Sequence, residues 1–243
     1  MNYILAYNKL FQEPAKTTCK AIWLSNPEAE IYAVVSSDVD DFIDGVKYYV
    51  NDPQIECVII NNTTGKPYSN IVYNTVYCLE ILPIKKGILL DIDQIVLKDM
   101  SELWNSPTGE SGIAAIPLIK QSSSRTMRGM MQNWSNGYVI PAEHNDRQTF
   151  NPCSFLMDFE KMKKNKCFEF VEKFIREYHC SEMAAYNVYA DDKWVRLDNK
   201  FGARSDFTTD LTSVVCLDYA GEHKPWTGRG RNVDVWNKYR DLI

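Results

Sequence analysis

Residues 87–104 read Gly-Ile-Leu-Leu-Asp-Ile-Asp-Gln-Ile-Val-Leu-Lys-Asp-Met-Ser-Glu-Leu-Trp. Gly87 to Leu90 is a continuous apolar run, the pattern of a central strand buried on both faces. Asp91 and Asp93 follow it directly. On an extended chain, residues two apart point to the same side, so the two carboxylates converge on one point beyond the carboxyl end of the strand. Open α/β sheets bind ligands there. Close carboxylates resist joint ionisation, and a divalent cation removes that cost. Their hard oxygens suit Mn²⁺ or Mg²⁺, which in turn grips a diphosphate. An isolated D-x-D is short and common, and polar residues after any strand would account for it. The continuation is more specific: a second apolar stretch, then Asp99 with Glu102 three residues on. That is the spacing of a capping box opening a short helix, here ending Leu103-Trp104.

Working outward, Tyr3 to Tyr7 reads as a short buried strand. Pro14 to Leu24 reads as a helix, with Pro in its first turn and Ala15, Cys19 and Ile22 at helical spacing. Ile31 to Val35 is a second apolar strand, Val39 to Tyr49 is read as a helix, and Glu56 to Ile60 as a third strand. Strand, helix, strand, helix, strand predicts a mostly parallel sheet with helices on both faces, a Rossmann-like α/β fold. A helix over Tyr68 to Leu82 leads into the central strand. Downstream, Ile113 to Ile116 and Phe155 to Phe159 read as strands, and 120–149, with Ser122-Ser123-Ser124, as a polar loop. Phe168, Val171, Ile175 and Tyr178 place an amphipathic helix over 161–178. No repeat or linker divides the chain, so one domain over 1–243 is expected.

The chain carries 27 Lys plus Arg against 32 Asp plus Glu, a net charge of −5. That balance lacks the basic footprint of nucleic-acid binding. No apolar run reaches the roughly 20 residues that span a bilayer, and Met1-Asn2-Tyr3-Ile4-Leu5 has no basic region of a signal peptide. Seven scattered cysteines without a C-x-x-C pair predict reduced, mostly buried thiols rather than a zinc site or a disulfide scaffold. The N-x-[ST] sequons at Asn61, Asn62 and Asn133 are read as chance.

With these residues in view, Leu89-Leu90-Asp91-Ile92-Asp93 through Leu103-Trp104 resembles the D-x-D region of nucleotide-sugar-dependent glycosyltransferases of the GT-A fold, in particular glycosyltransferase family 8. Three other segments fit in order. Leu5-Ala6-Tyr7-Asn8 resembles the first strand, whose end touches the nucleotide base. Phe150-Asn151-Pro152-Cys153-Ser154-Phe155-Leu156 resembles the family's FN-[AS]-G-x-LL segment, whose Asn faces the sugar. Asp218-Tyr219-Ala220-Gly221-Glu222-His223-Lys224-Pro225-Trp226 resembles its H-x-x-G-x-x-KPW block.

The resemblance implies a metal-dependent transferase moving a sugar from a nucleotide diphosphate sugar, a UDP-sugar in the first instance, to a hydroxyl of a glycan or glycoconjugate. It implies a nucleotide-binding half, 1–104, and a sugar and acceptor half, 105–243. Ala6, Tyr7 and Asn8 would line the nucleotide pocket, with Asp91 on the ribose side or on the metal. Asp93 would ligate Mn²⁺ or Mg²⁺. Gly221 would let the backbone approach the phosphates, and Lys224 would bring a point charge to them.

The departures are specific. In register with Gly221 and Lys224, the family's metal-binding His is Asp218 here, itself a competent hard ligand. His223 is out of register and stands second. Residues 67–84 hold no Arg or Lys where family members carry an Arg for the donor sugar. Asn151 matches, but Pro152 and Cys153 replace the small residue and Gly. The family's D-Q-D segment corresponds to Cys180-Ser181-Glu182, with only the last acid kept. Glu182 starts a predicted helix; as a site residue it is a general base, and as a structural one an acid favoured by the helix dipole. His179 is the next base in line.

Two other readings remain open at this point. A sugar nucleotidyltransferase would show a glycine-rich phosphate loop after the first strand, where Asn8-Lys9-Leu10-Phe11-Gln12 has none. A non-catalytic nucleotide-sugar-binding protein would keep the fold without turnover. A short chain without a membrane stem is expected to be a soluble, cytoplasmic enzyme of bacterial or viral origin.

Overall fold

Tyr3, Leu5 and Tyr7 of the first strand, β1 (Asn2–Tyr7), pack to one side of a sheet, and Ile4 packs to the other. The computed structural model describes residues 1–55, 70–118, 122–135, 137–221 and 224–242. The strand expected at Glu56–Ile60 lies outside them, as does His223. After β1 come helix α1 (Gln12–Ser25) and strands β2 (Glu30–Val35) and β3 (Val46–Val50), then α2 (Asn74–Ile81), β4 (Lys86–Leu89), β5 (Gln94–Val96) and the one-turn α3 (Ser101–Trp104). The second half holds β6 (Ile113–Pro117), α4 (Met127–Trp134), β7 (Phe150–Asp158), α5 (Phe159–Lys164), α6 (Cys167–Tyr178), α7 (Glu182–Ala190), β8 (Val195–Arg196), β9 (Ala203–Arg204), β10 (Cys216–Asp218) and α8 (Val233–Arg240).

Seven strands form the central sheet in the order β3-β2-β1-β4-β7-β6-β8. Only the β7 pairings are antiparallel. Ala15, Cys19 and Ile22 of α1 cover the face that carries Tyr3, Leu5 and Tyr7. Cys78 and Leu79 of α2, with α6 and α7, cover the opposite face. The mostly parallel sheet with helices on both faces is therefore the one the alternation predicted. Gly87 marks a close approach between neighbouring strands: a Cβ there would lie 2.5 Å from Ile4 Cδ1.

A second sheet, β5-β10-β9, stands at the carboxyl end of the first. β5 and β10 run antiparallel, with Asp218 opposite Gln94, and β9 joins β10 in parallel. This pairing carries the site, because it brings the segment after β4 against one more than a hundred residues further along.

Four expectations change. Val39–Tyr49 is not a helix: Val46–Val50 is a strand parallel to β2. Asp38, Asp40, Asp41 and Asp44 are weak helix formers, and Gly45 turns the chain at φ +84°. The 120–149 segment is not all loop, since α4 buries Met127, Met130 and Met131 and is capped by Thr126, whose Oγ1 accepts from the Gly129 N–H at 3.3 Å. The 161–178 helix is two helices, broken where Lys166 takes a left-handed conformation at φ +55°. The Asp99 box also fails to form. Asp99 accepts from the Ser101 N–H at 2.5 Å, and Glu102 pairs instead with Lys200 at 2.6 Å.

Candidate active site

The D-x-D turn is held from three directions. The Gln94 side chain, fully buried, accepts from the Asp91 N–H at 3.1 Å and from the Ser154 hydroxyl at 3.0 Å. Thr18, on α1, shares its hydroxyl proton between the carbonyls of Ile92 at 2.8 Å and Gln94 at 3.0 Å. Tyr219 donates its N–H to the Asp93 carbonyl at 3.1 Å. An exposed pair of acids after a strand would need none of this support.

Asp93 is 6% exposed. Its Oδ2 meets the Lys224 ammonium, and its Oδ1 is buried with no hydrogen-bond partner among the described residues. Asp218, at the end of β10, is 1% exposed and accepts from the Ala220 N–H at 2.9 Å. Burial pushes its carboxyl upward, and the Asp93 charge adds to the push, against Arg204 and Lys224. The Asp91 side chain is exposed, while the protein around it and the charges of Asp93 and Asp218 push its carboxyl well above its ordinary value. For Lys224, burial alone would favour the neutral amine. The charges of Asp93, Asp218 and Asp91 outweigh it and hold the ammonium protonated. Lys224 Nζ also lies 3.4 Å from the Tyr219 carbonyl oxygen.

The charges of Asp91, Asp93 and Asp218 act on one another, and the buried Asp93 Oδ1 has no hydrogen-bond partner among the described residues. Lys224 and Arg204 answer that negative charge. Among the described residues no group of three His, Cys, Asp or Glu side chains is placed to hold a metal ion. By their chemistry these oxygens suit a hard divalent ion, and Asp93, through its unpartnered Oδ1, with Asp91 and Asp218, would be the residues to hold one.

The other expected residues arrange around this point. The register of β1 with β4, Ile4 opposite Leu89, carries Ala6 to the level of Asp91. Ala6 and Asn8 are half-buried there. Tyr7 turns the other way: its ring is 1% exposed and its hydroxyl lies 3.2 Å from that of Tyr48. Gly221 sits at φ +112°, a region that disfavours side chains. Glu182 opens α7, with Ser181 as the cap accepting from the Ala184 N–H at 3.1 Å. Burial raises the Glu182 carboxyl to about 7, and its charge is felt at Asp91. His179 ends α6 in a left-handed conformation and is exposed.

Asn151 and Asp218 line one cavity of about 180 Å³ with Arg204, Asn199, Phe207 and Thr208. β7 reaches it through an irregular stretch, with a register shift against β6 between Ala114 and Ile116 and Ser154 at φ +51°. Backbone strain of this kind concentrates at functional sites. Arg204, absent from the sequence reading, donates to the Ala220 carbonyl at 2.9 Å and to Asp206 at 3.2 Å. Nothing in Ala203-Arg204 announces this, because the pairing of β9 with β10 places it. Gln94 and Thr18 were missed as well. A glutamine standing between Asp93 and the apolar Ile95-Val96-Leu97 was the available signal for the first.

The model of glycosyl transferase family 8 matches residues 11–230. The chain belongs to that family. Among solved structures, the galactosyltransferase LgtC, in complex with donor and acceptor sugar analogues, superposes with a TM-score of 0.79 at 13% identity, over 100% of this chain and 96% of its own. The bifunctional glycosyltransferase WbbM matches at 0.73 and 15% identity, over 99% of this chain and 49% of its own. GlyE of Streptococcus pneumoniae TIGR4 matches at 0.68 and 16%, over 98% of this chain and 59% of its own. At such identities the likeness establishes the GT-A fold. In sequence, the chain is 23% identical over 180 residues to general stress protein A of Bacillus subtilis (strain 168). It spans 57% of that relative's length. Among the described residues, no helix of this family 8 chain is long and apolar enough to cross a membrane.

Proposed function

We propose that this family 8 chain transfers a sugar from a UDP-sugar to a hydroxyl of a glycan or glycoconjugate, with Mn²⁺ or Mg²⁺ bound by Asp91, Asp93 and Asp218. The observation that carries the reading is the buried Asp93 Oδ1, without a hydrogen-bond partner among the described residues, in a set of mutually charged carboxylates faced by Lys224 and Arg204. When bound, the ion neutralises charge on the leaving diphosphate.

Residues 1–104 supply the nucleotide half. Ala6 and Asn8 border the base and ribose, and Tyr7 backs the pocket from beneath. Residues 105–243 supply the sugar and acceptor half, from which Asp218, Gly221 and Lys224 reach back to the phosphates. Asn151 orients the donor sugar across the cavity it shares with Asp218. Glu182 takes the proton from the acceptor hydroxyl as that oxygen bonds to the anomeric carbon and the bond to the diphosphate breaks. A carboxyl held at about 7 suits that work at neutral pH, which favours turnover over a purely binding role. Lys224 meets the negative charge left on the diphosphate.

A screen of nucleotide sugars with Mn²⁺, read by release of the nucleotide, tests the proposal. UDP release from at least one UDP-sugar, absent when Mn²⁺ is chelated, is the expected result. No release from any donor, with no Mn²⁺-dependent UDP binding, overturns it.

A further inference from the structure

Gln94 heads β5 and is fully buried. The carbonyl oxygen of a glutamine side chain has two lone pairs, and both are used here. It accepts from the Asp91 N–H at 3.1 Å and from the Ser154 hydroxyl at 3.0 Å. The Asp91 N–H can only donate, so it fixes which end of the amide faces the turn. The other end, Nε2, is buried with no hydrogen-bond partner among the described residues. Burying an unpaired amide group costs stability. An apolar side chain of similar size, of the kind that follows at Ile95, would avoid that cost. Packing therefore does not account for the residue, and what it joins does.

Asp91 belongs to the D-x-D turn, and Ser154 to the strand that carries Asn151. The ladder between β4 and β7 ends with Leu89 opposite Phe155. Beyond it the Gln94 side chain bridges the two chains. Between Asn151, opposite Ile116, and Leu156, opposite Ala114, β7 bulges out of register with β6. A bulge re-aims the side chains beside it. Ser154, within that stretch, is fully buried and left-handed at φ +51°, a conformation that persists only where the surroundings hold it. Its Oγ also lies 3.9 Å from Cys216 Sγ on β10, and Gln94 itself stands opposite Asp218 on that strand. One side chain thus ties the turn of Asp91 and Asp93 to the irregular stretch beside Asn151.

We propose that Gln94 is a positioning residue for sugar transfer: through Ser154 it holds Asn151 at a fixed spacing from the acids of the D-x-D turn. The inference rests on the glycosyl-transfer reading above and deepens it. In that reading the bond that breaks lies between the sugar that Asn151 orients and the diphosphate at the turn. Shifting one against the other slows the chemical step while the nucleotide is still gripped.

Steady-state release of UDP from UDP-glucose, UDP-galactose and UDP-N-acetylglucosamine, with Mn²⁺ present and water as acceptor, tests it. The variants are Gln94→Met, which keeps the volume, Ser154→Ala, which removes the hydroxyl, and the two combined. Each lowers kcat about tenfold or more, while UDP affinity with Mn²⁺, read by calorimetry, is unchanged. The double variant is no slower than the slower single one, because both substitutions cut the same link. A merely structural role gives lower stability with kcat unchanged, the behaviour expected of Val171→Ala in the buried face of α6. An unchanged kcat in Ser154→Ala overturns the proposal, and decides alone if Gln94→Met does not fold. A double variant whose loss is the product of the single losses also overturns it. So does a loss of UDP affinity as large as the loss of kcat, which would confine Gln94 to holding the turn. If the unaltered protein neither releases UDP from any of these donors nor binds UDP with Mn²⁺, the glycosyl-transfer reading fails and takes this inference with it.

Discussion

Lys224 Nζ and Asp93 Oδ2 are paired across 131 positions of sequence, and the lysine ammonium is the counter-charge to a triad of acids. Lysine and a divalent ion would thus compete for the same carboxylate. Lys224→Met is expected to bind Mn²⁺ more tightly in the absence of nucleotide, and to bind UDP more weakly with Mn²⁺ present. Electron paramagnetic resonance of free Mn²⁺ measures the first and calorimetry the second. Weaker binding of Mn²⁺ alone would show that Lys224 does not occupy the cation's place.

Replacing Asp93 removes the open ligand oxygen. Asp93→Ala is expected to lose Mn²⁺-dependent UDP affinity by at least about a hundredfold, the scale of a lost charge-assisted contact of about 3 kcal/mol. Its far-ultraviolet circular dichroism is unchanged. UDP affinity equal to that of the unaltered protein would remove Asp93 from the site.

Glu182 sets a pH profile. As a proton acceptor it works ionised, so kcat rises with pH through about 7 and the rise is absent from Glu182→Gln, which retains UDP binding. Stability runs the opposite way. Burial raises the folded carboxyl from 4.5 to about 7, so between those values the folded chain holds a proton that the unfolded chain has released. Stability therefore falls as pH rises through that window. Thermal melts at pH 5 and pH 8 should differ less for Glu182→Gln than for the unaltered protein.

Thr18 lies on a helix remote from any expected ligand, yet its hydroxyl holds the turn between the two acids. Thr18→Val leaves two carbonyls in the interior without that donor. A loss of about 1–3 kcal/mol in urea denaturation is expected, together with weaker Mn²⁺-dependent UDP binding. Lost stability with unchanged UDP binding would confine Thr18 to the core.

Gly221→Ala places a side chain at φ +112°, 3.4 Å from Arg204 Nη2. Strain of about 1–3 kcal/mol follows, read as a lowered urea midpoint. UDP affinity should fall with it, since the added methyl intrudes on the approach to the phosphates.

What the sequence made legible follows from how local each signal is. Asp91 and Asp93 announce themselves within one strand end. Asp218 could be placed only through its spacing to Gly221 and Lys224; in the structure its carboxyl feels the charge of Asp93. Val46-Lys47-Tyr48-Tyr49-Val50 has the β-branched and aromatic character of a strand, and reading it as the end of a helix let the acids before Gly45 be counted as helix surface. Met127, Met130 and Met131 do carry helical spacing, hidden by the serines that precede them. Arg204 and Phe207 had no local mark. A two-residue strand and a one-turn 3₁₀ segment take their positions from β10, and only tertiary pairing shows which cavity they border.

The antiparallel pairing of β5 with β10 also orders events during synthesis. Chains emerge from their N-terminus at about 5–20 residues per second, and contacts between distant segments form after local ones. The first four strands of the central sheet and the D-x-D turn are all made before residue 100, but the edge of β5 waits uncovered until Cys216–Asp218 arrives. Until then Asp93 has neither its lysine nor its neighbouring acid. A nascent or prematurely terminated chain would lack Asp218 and Lys224, so binding of a donor through the proposed cation site would come as a last step and would read out a finished molecule.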